Sequence, residues 1–169
     1  MELYFIRHAI AIDRNDPHVK SDAERRLTKE GIEKMEQAAE GLKKIVPRFD
    51  EMYSSPYLRA RETAEILEQV FTDSPSIQIT SDLAPGMDFD LLPNLTKGYS
   101  PNSRIALVGH EPDLSEMISM LVAGHSYGVI EMKKGAVCRV DIAGKPEAGC
   151  GALVWLLQPK QLRMLAKPK

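Results

Sequence analysis

Short runs of apolar residues recur along the chain. The first run, residues 3–6, ends at Arg7 and His8. A run of this length that is rich in aromatic and β-branched side chains is typical of a strand buried on both faces. A second run, residues 105–108, also ends close to a histidine, His110. The pattern therefore predicts two buried strands, each followed at its carboxyl end by an imidazole.

Apolar residues take up helical spacing between the strands. In the stretch 27–46 they recur every three or four positions and predict one buried helix face, made by Ile32, Met35, Ala39, Leu42 and Ile45. The same reasoning predicts helices over 55–71, 112–122 and up to residue 165, and further strands over 50–54, 77–80, 136–142 and 152–157. This order of elements predicts an α/β fold, a three-layer α/β/α sandwich whose mostly parallel central sheet has about six strands and an antiparallel edge.

Composition narrows the class of protein. The chain of 169 residues fits a single domain over 1–169, and its net charge of −2 argues against nucleic acid as the main partner, since such domains usually carry a basic excess. The apolar runs are too short to cross a bilayer, and Arg7 and His8 interrupt the N-terminal run before it could form a signal peptide. We therefore expect a cytoplasmic protein without a membrane partner, and the sequence leaves its oligomeric state open.

Two cysteines, Cys138 and Cys150, lie on either side of a predicted turn. A disulfide between them is compatible with the spacing, but a cytosolic chain keeps its thiols reduced, so we expect two free thiols. Neither cysteine has the neighbours of a metal site. The sequence thus predicts no metal ion and no cofactor.

The charged residues beside the strands carry the functional prediction. In an open α/β sheet the ligand binds outside the carboxyl ends of the strands, where Arg7, His8 and His110 are expected. Arg59 falls in the first turn of a predicted helix, where free N–H groups favour anions, and Arg25 precedes another helix. Because guanidinium groups match phosphate oxygens in bidentate fashion, this set suits a dianionic phosphoryl group.

Plainer explanations compete for several of these residues. Arg59 is explained equally well by surface ion pairs within its helix, and Arg25, beside Arg26, by solvated charge. His18 and His125 lie in polar stretches and are better explained as loop residues. Two histidines at the ends of two buried strands, with arginines nearby, are harder to explain by packing.

A neutral histidine is a competent nucleophile. We interpret the cluster as one in which His8 attacks phosphorus, His110 donates to a phosphate oxygen, and the arginines hold the group. A backbone carbonyl that accepts the proton of one His8 ring nitrogen would aim the other nitrogen at phosphorus. The GxxxxGK[ST], GxSxG and CxxxxxR patterns of P-loop proteins, serine hydrolases and cysteine phosphatases do not occur in the sequence.

Four short motifs resemble those of the histidine phosphatase (phosphoglycerate-mutase-like) superfamily. In the family's order they are Arg7-His8-Ala9, then Arg25-Arg26-Leu27-Thr28 with Gly31, then Ser54-Ser55-Pro56-Tyr57-Leu58-Arg59-Ala60, and Val108-Gly109-His110-Glu111-Pro112. The resemblance implies that His8 and His110 are catalytic and that three arginines, Arg7, Arg25 and Arg59, bind phosphate. The short chain and the stretch Leu83-Ala84-Pro85 look most like the SixA-type phosphohistidine phosphatase branch.

Two departures from the family pattern bear on function. Ala9 stands where the family has glycine, so the turn is strained if it needs a positive φ. Pro85 stands near the position of the acidic residue that protonates the leaving oxygen in larger family members. The nearest carboxylates are Asp82, Asp88 and Glu111, and the sequence assigns the role to none of them. Because an imidazole nitrogen leaves more readily than an alkoxide, a missing acid favours phosphohistidine as the substrate.

Three functions follow from these observations. The first is a metal-independent phosphatase that forms a phosphohistidine intermediate on His8 and removes phosphate from phosphohistidine on a protein, of the histidine phosphotransfer type. The second is a phosphatase of a small phosphate ester on the same scaffold. The third is a phosphate-binding regulatory module without turnover, which the change at Ala9 and the missing acid would suit.

Overall fold

One mixed sheet of six strands forms the centre of the computed structural model, which describes residues 1–127 and 130–167. The strands are β1 (Glu2–Arg7), β2 (Glu51–Ser54), β3 (Gln78–Ile79), β4 (Arg104–Gly109), β5 (Val137–Ile142) and β6 (Gly151–Leu157), in the spatial order β3-β2-β4-β1-β5-β6. The first four of these in space are parallel to one another, whereas β5 runs antiparallel to both β1 and β6. The predicted parallel sheet with an antiparallel edge is confirmed.

Helices cover both faces of this sheet. The helices α1 (Lys29–Lys43), α2 (Leu58–Val70) and α5 (Pro159–Ala166) pack on one face, and α3 (Leu92–Thr96) and α4 (Asp113–Ala123) pack on the other. Because side chains alternate along a strand, β1 divides between two cores: Tyr4 and Ile6 face the first, and Leu3 and Phe5 face the second. The three-layer α/β/α sandwich is therefore confirmed.

The buried face of α1 differs from the predicted one. Ile32 and Ile45 are 38% and 43% exposed, and Ile45 lies beyond the end of the helix. The buried face is turned towards Gly31 and Gly41, where a Cβ atom would lie 2.1 Å and 1.8 Å from the backbone oxygens of the neighbouring loop and of α5. Helix α1 thus packs against the rest of the molecule through small residues, which apolar spacing does not reveal.

Helix α2 begins later than the sequence predicted. Ser55 continues the pairing of β2 with β4, because its N–H group donates to the carbonyl oxygen of Val108 at 3.0 Å, and the helix starts only at Leu58. The side chain of Ser55 is therefore held at the carboxyl edge of the sheet.

Both cysteines are free thiols, as predicted: Cys138 is buried in β5 and Cys150 is exposed. In the ranges 1–127 and 130–167, no helix has the length and the apolar character needed to cross a membrane.

Candidate active site

The predicted residues converge at the carboxyl edge of the parallel strands. Because β1 and β4 are parallel neighbours, His8 and His110 follow them at the same level, and their ring centroids lie 5.3 Å apart. Arg59 projects from the first turn of α2, and Arg25 from the loop before α1. Together with Arg7 they line a cavity of about 400 Å³, whose wall also includes Asp13, Arg14, Asn15, Asp22, Pro85, Glu111 and Lys134.

His8 is oriented by the backbone. The Nδ1–H group donates to the carbonyl oxygen of Ala9 at 2.7 Å, which leaves the lone pair on Nε2, where the Nε–H group of Arg59 donates to it at 3.2 Å. Burial lowers the pKa of His8 to about 3; the Ala9 carbonyl opposes this shift, and the nearby cations add to it. His8 is therefore a neutral imidazole whose Nε2 lone pair faces Arg59, the arrangement that the nucleophile hypothesis requires.

Ala9 fits its turn without strain. Its backbone does not adopt a positive φ, and its N–H group donates to Oγ1 of Thr63 at 3.0 Å. The hydroxyl of Thr63 in turn donates to the carbonyl oxygen of Arg59 at 2.6 Å. The alanine in place of glycine therefore leaves the turn and its neighbours intact.

His110 is held through the opposite ring nitrogen. Its Nε2 atom lies 2.8 Å from Oγ of Ser55, which also accepts the N–H group of Tyr57 at 3.3 Å. When the Ser55 hydroxyl donates to Nε2, the ring proton is on Nδ1, a buried atom without a hydrogen-bond partner. Burial, reinforced by the charge of Arg59, lowers the pKa of His110 to about 4. His110 is thus a neutral ring, and in this tautomer its Nδ1–H group is an unpartnered donor.

Asp22 joins two of the predicted phosphate ligands. Its carboxylate accepts from Nη1 of Arg25 at 2.9 Å and from Nη2 of Arg59 at 3.0 Å. Partial burial favours the protonated form of Asp22, but the bonds and charges of the two arginines outweigh it and hold its pKa below the ordinary value. Arg59 is buried, so the explanation of this arginine by surface ion pairs is wrong; such a pair is made instead by Arg61 and Glu65.

Unpartnered polar atoms concentrate in this cavity. Among the residues that the structure describes, four buried side-chain polar atoms lack a hydrogen-bond partner, and three of them belong to Arg7, His110 and Glu111, which line the cavity. In Arg7 the unpartnered atom is Nε, while Nη1 donates to the carbonyl oxygen of Met132 at 2.5 Å. Since buried polar groups are nearly always paired in folded proteins, such a cluster indicates a site that binds a polar ligand.

The sequence did not single out three residues at this site: Asp22 and Lys134, which line the cavity, and Ser55, which holds the His110 ring. For Asp22 the sequence contains a weak hint of pairing with Arg25, because Asp22 stands three residues before it. For Ser55 the sequence indicates only the start of a predicted helix and a place in one of the four motifs. Lys134 comes from the loop before β5, and the only hint in the sequence is its position next to a predicted strand.

Other predicted residues lie elsewhere. His18 is exposed in the loop before α1 and His125 is exposed after α4, so both are loop residues as predicted. Within the described part of the chain, no group of three or more His, Cys, Asp or Glu side chains is placed to hold a metal ion.

A second cavity of about 470 Å³ adjoins the first and shares Arg7 and Lys134 with it. Its floor is apolar and includes Ala9, Met35 and Ala38, which are buried. Its rim is basic and carries Lys34, Lys133, Lys134, Lys160 and Arg163; Lys34 is paired with Glu30. We call this cavity the basic groove. Charge of one sign along a groove attracts ligands of the opposite sign.

The sequence profile of the histidine phosphatase superfamily (branch 1) matches residues 3–87. This chain belongs to the histidine phosphatase superfamily. It is a phosphatase of that superfamily, and the resemblance carried by the four motifs is confirmed. An uncharacterized protein of Picosynechococcus sp. is 34% identical to it over 139 residues, which cover 81% of this chain and 82% of that protein.

Phosphohistidine phosphatase SixA of Escherichia coli is similar over the whole length, with 23% identity over 167 residues, 97% of this chain and 98% of that protein. The solved structure of the protein histidine phosphatase SixA complexed with tungstate superimposes with a TM-score of 0.79 and 23% identity, covering 96% of this chain and 99% of that one. Phosphoserine phosphatase of Entamoeba histolytica, in complex with 3-phosphoglyceric acid, gives a TM-score of 0.72 at 18% identity, covering 95% and 98%. One fold therefore unites relatives that act on different phosphate compounds.

Proposed function

We propose that this phosphatase transfers the phosphoryl group of its substrate to His8 and that its substrate is phosphohistidine on a protein. The observation that supports the first part is a pair of buried, unpartnered side-chain nitrogens, Nε of Arg7 and Nδ1 of His110, on residues that line one cavity with His8. In the same cavity His8 is a neutral imidazole. Donors fixed in advance stabilise the charge that develops during transfer.

The reaction on this arrangement has two steps. In the first, the lone pair of His8 Nε2 forms a bond to phosphorus as the bond to the leaving group breaks. The Nε–H group of Arg59, which donates to Nε2 in the free protein, then donates to a phosphoryl oxygen. Arg25 is held next to Arg59 because the Asp22 carboxylate binds both guanidinium groups. In the second step, water attacks phosphorus, and the electron pair of the N–P bond returns to Nε2.

The shape of the site supports a polypeptide as the carrier of the phosphoryl group. The rim of the active-site cavity consists of exposed residues, among them Arg14, Pro85 and Lys134, so the phosphate position is open to a large partner. The basic groove continues from this rim and combines an apolar floor with cationic edges. An acidic surface on a phosphorylated protein fits such a groove, and similarity to SixA agrees with this substrate class.

A second candidate is a phosphatase of a small phosphate ester. The similarity to phosphoserine phosphatase of Entamoeba histolytica favours it.

A third candidate, a binding module without turnover, predicts that vanadate binds and that no substrate is hydrolysed. The cytoplasmic location stays a prediction, and so does the expectation that the protein binds neither nucleic acid nor membranes.

One assay separates these candidates. Wild-type protein and the His8→Ala variant are given a phosphohistidine protein and a phosphoserine peptide, and phosphate release and acid-labile label on the enzyme are measured. We expect release from phosphohistidine with transient label in the wild type, and neither in His8→Ala, while His18→Ala, which alters an exposed loop histidine, behaves like the wild type. Full activity of His8→Ala would eliminate the mechanism. Preference for the phosphoserine peptide would establish the ester phosphatase.

The groove is tested by charge reversal. The double variant Lys133→Glu, Lys160→Glu should lower kcat/KM several-fold on the phosphohistidine protein and leave p-nitrophenyl phosphate hydrolysis nearly unchanged, because electrostatic attraction acts on the partner surface. Lys44→Glu, Lys97→Glu is the matched control, since both lysines are exposed and lie outside the groove. Equal losses in the two double variants would contradict a role of the groove.

A further inference from the structure

Two carboxyl groups in the active-site cavity take no part in the steps described so far: Asp13, which is exposed and accepts from the N–H group of Asn15, and Glu111. Glu111 follows His110 and lines the cavity. Asp88 instead lines a separate cavity beside α4, and Asp82 lies in the short turn Ser81–Leu83. Of the three carboxylates that the sequence left open, Glu111 is the one that the fold brings to the nucleophile.

The two oxygens of Glu111 have different surroundings. Oε2 accepts a hydrogen bond from Oγ of Ser115 at 2.7 Å, whereas Oε1 is buried and has no partner. Burial raises the pKa of Glu111, and the Ser115 hydroxyl and the charge of Arg7 oppose that rise. The other charged or titratable groups around it are Asp113 on α4 and, across the cavity, His8, His110, Asp13, Arg14, Asp22, Arg25, Arg59 and Lys134.

Glu111 and Asp22 therefore differ although they share one cavity. Asp22 is tied to two guanidinium groups and stays ionised, while Glu111 sits where burial favours the protonated acid. Carboxyl groups whose environments separate their pKa values in this way are typical of a division of labour in an active site.

We propose that Glu111 is the proton donor to the leaving group. As the bond between phosphorus and the leaving atom breaks, the Glu111 carboxyl gives that atom its proton and becomes a carboxylate. In the second step the carboxylate takes a proton from the attacking water, and the carboxyl is restored as phosphate departs from His8. The proposal rests on the proposed covalent mechanism and applies whether the leaving atom is nitrogen or oxygen.

A proton donor at Glu111 bears on the choice of substrate. The sequence favoured phosphohistidine over phosphate esters because no carboxylate could be assigned as the proton donor. With Glu111 as the donor, the lack of an acid near Pro85 no longer favours phosphohistidine. The preference for a phosphohistidine protein then depends on the open rim, on the similarity to SixA and on the basic groove, which the charge-reversal variants test independently.

The test measures phosphoenzyme formation in a single turnover with aryl phosphates, from p-nitrophenyl phosphate, whose leaving group needs no proton, to phenyl phosphate, whose leaving group does. The Glu111→Gln variant keeps the size and the acceptor for Ser115 but has no acidic proton. We expect its loss of rate to grow along the series, from a few-fold to about 10²-fold, the lower end of the range for general acid catalysis. Asp88→Asn, a carboxylate change in the other cavity, should leave the dependence on the leaving group as in the wild type.

The outcomes distinguish a failure of the Glu111 proposal from a failure of the covalent mechanism. If the wild type forms no phosphoenzyme with any substrate, the proposed function fails. If Glu111→Gln loses the same factor with every leaving group, Glu111 only positions its neighbours and the proposal is overturned. A second variant, Ser115→Ala, covers the case in which Glu111→Gln does not fold. Loss of the Ser115 hydrogen bond should move the basic limb of the pH profile with phenyl phosphate to higher pH, and an unmoved limb would also overturn the proposal.

Discussion

The ends of β1 and β4 lie side by side at the same edge of the sheet, yet they hold their imidazoles in opposite ways. At the end of β1 the backbone carbonyl of Ala9 binds Nδ1 of His8, and Nε2 accepts from Arg59. At the end of β4 the hydroxyl of Ser55 binds Nε2 of His110, and Nδ1 is left without a partner. Both rings are buried and neutral, but a lone pair meets a guanidinium group in one ring and an unpartnered nitrogen remains in the other. The position in the fold is thus shared, and the different hydrogen-bond partners underlie the different roles that we propose for the two rings.

The largest expected effect comes from exchanging the two imidazoles for amides. His8→Gln removes the nucleophile and should lower kcat by at least roughly 10⁴-fold, with no phosphoenzyme. His110→Gln removes one donor to the developing charge and should cost about 10²–10³-fold while phosphoenzyme still forms, which rapid quenching detects. His125→Gln, at an exposed loop histidine, serves as the control. Phosphoenzyme in His8→Gln but not in His110→Gln would reverse the assignment of the two roles.

The next effect concerns stability in acid. The pKa values of His8 and His110 are lowered from 6.5 to about 3 and about 4, with burial as the main cause. The unfolded chain therefore binds protons below pH 6.5 that the folded chain does not, so stability is full above pH 6.5 and falls as the pH drops towards 4. Each ring should contribute a loss of about 2 kcal/mol at pH 5 relative to neutral pH.

Urea unfolding at pH 7 and pH 5 measures this loss. The wild type should lose more free energy of unfolding between the two pH values than His8→Gln or His110→Gln, each of which lacks one buried ring. His18→Gln, whose histidine is exposed, should keep the wild-type dependence. The same pH dependence in all four proteins would show that the buried rings do not oppose protonation.

The smallest effect tests the tether of His110. Ser55→Ala removes the hydroxyl that binds Nε2 and should lower kcat by up to about 10-fold, the value of one neutral hydrogen bond, while phosphoenzyme formation remains detectable. Ser55→Thr keeps a hydroxyl and should retain more activity. Ser54→Ala is the matched control, because that buried hydroxyl binds a backbone carbonyl and no imidazole. Equal losses at both serines would point to a general disturbance of the strand end.

The helices show where sequence patterns are sufficient and where they fail. The spacing on α4 predicts an apolar face of Leu114, Met117, Ile118, Leu121 and Val122; the first four are buried, and Val122, at the edge of that face, is 36% exposed. On α1 the same spacing placed Ile32 on the buried face, where it is not. The difference arises because α1 packs closely through Gly31, whose importance depends on the path of another segment.

In the candidate active site, the residues that project from regular elements could be located from sequence patterns alone. Strand ends place His8, Arg7 and His110 at one edge, and a helix start places Arg59 beside them, because the geometry of a parallel sheet is local and repetitive. The family motifs pointed to the same residues.

The hydrogen-bond partners of those residues, by contrast, become visible only in the folded chain. Asp22 and Lys134 reach the cavity from loops, and Glu111 was one carboxylate among three until the fold separated them. The partner of each imidazole nitrogen also depends on contacts between distant segments, as in the hydrogen bond between His110 and Ser55. This difference arises because every segment packed around a buried polar atom contributes to its environment, and the environment sets its protonation state. The periodicity of apolar residues reports only on the segment to which the atom belongs.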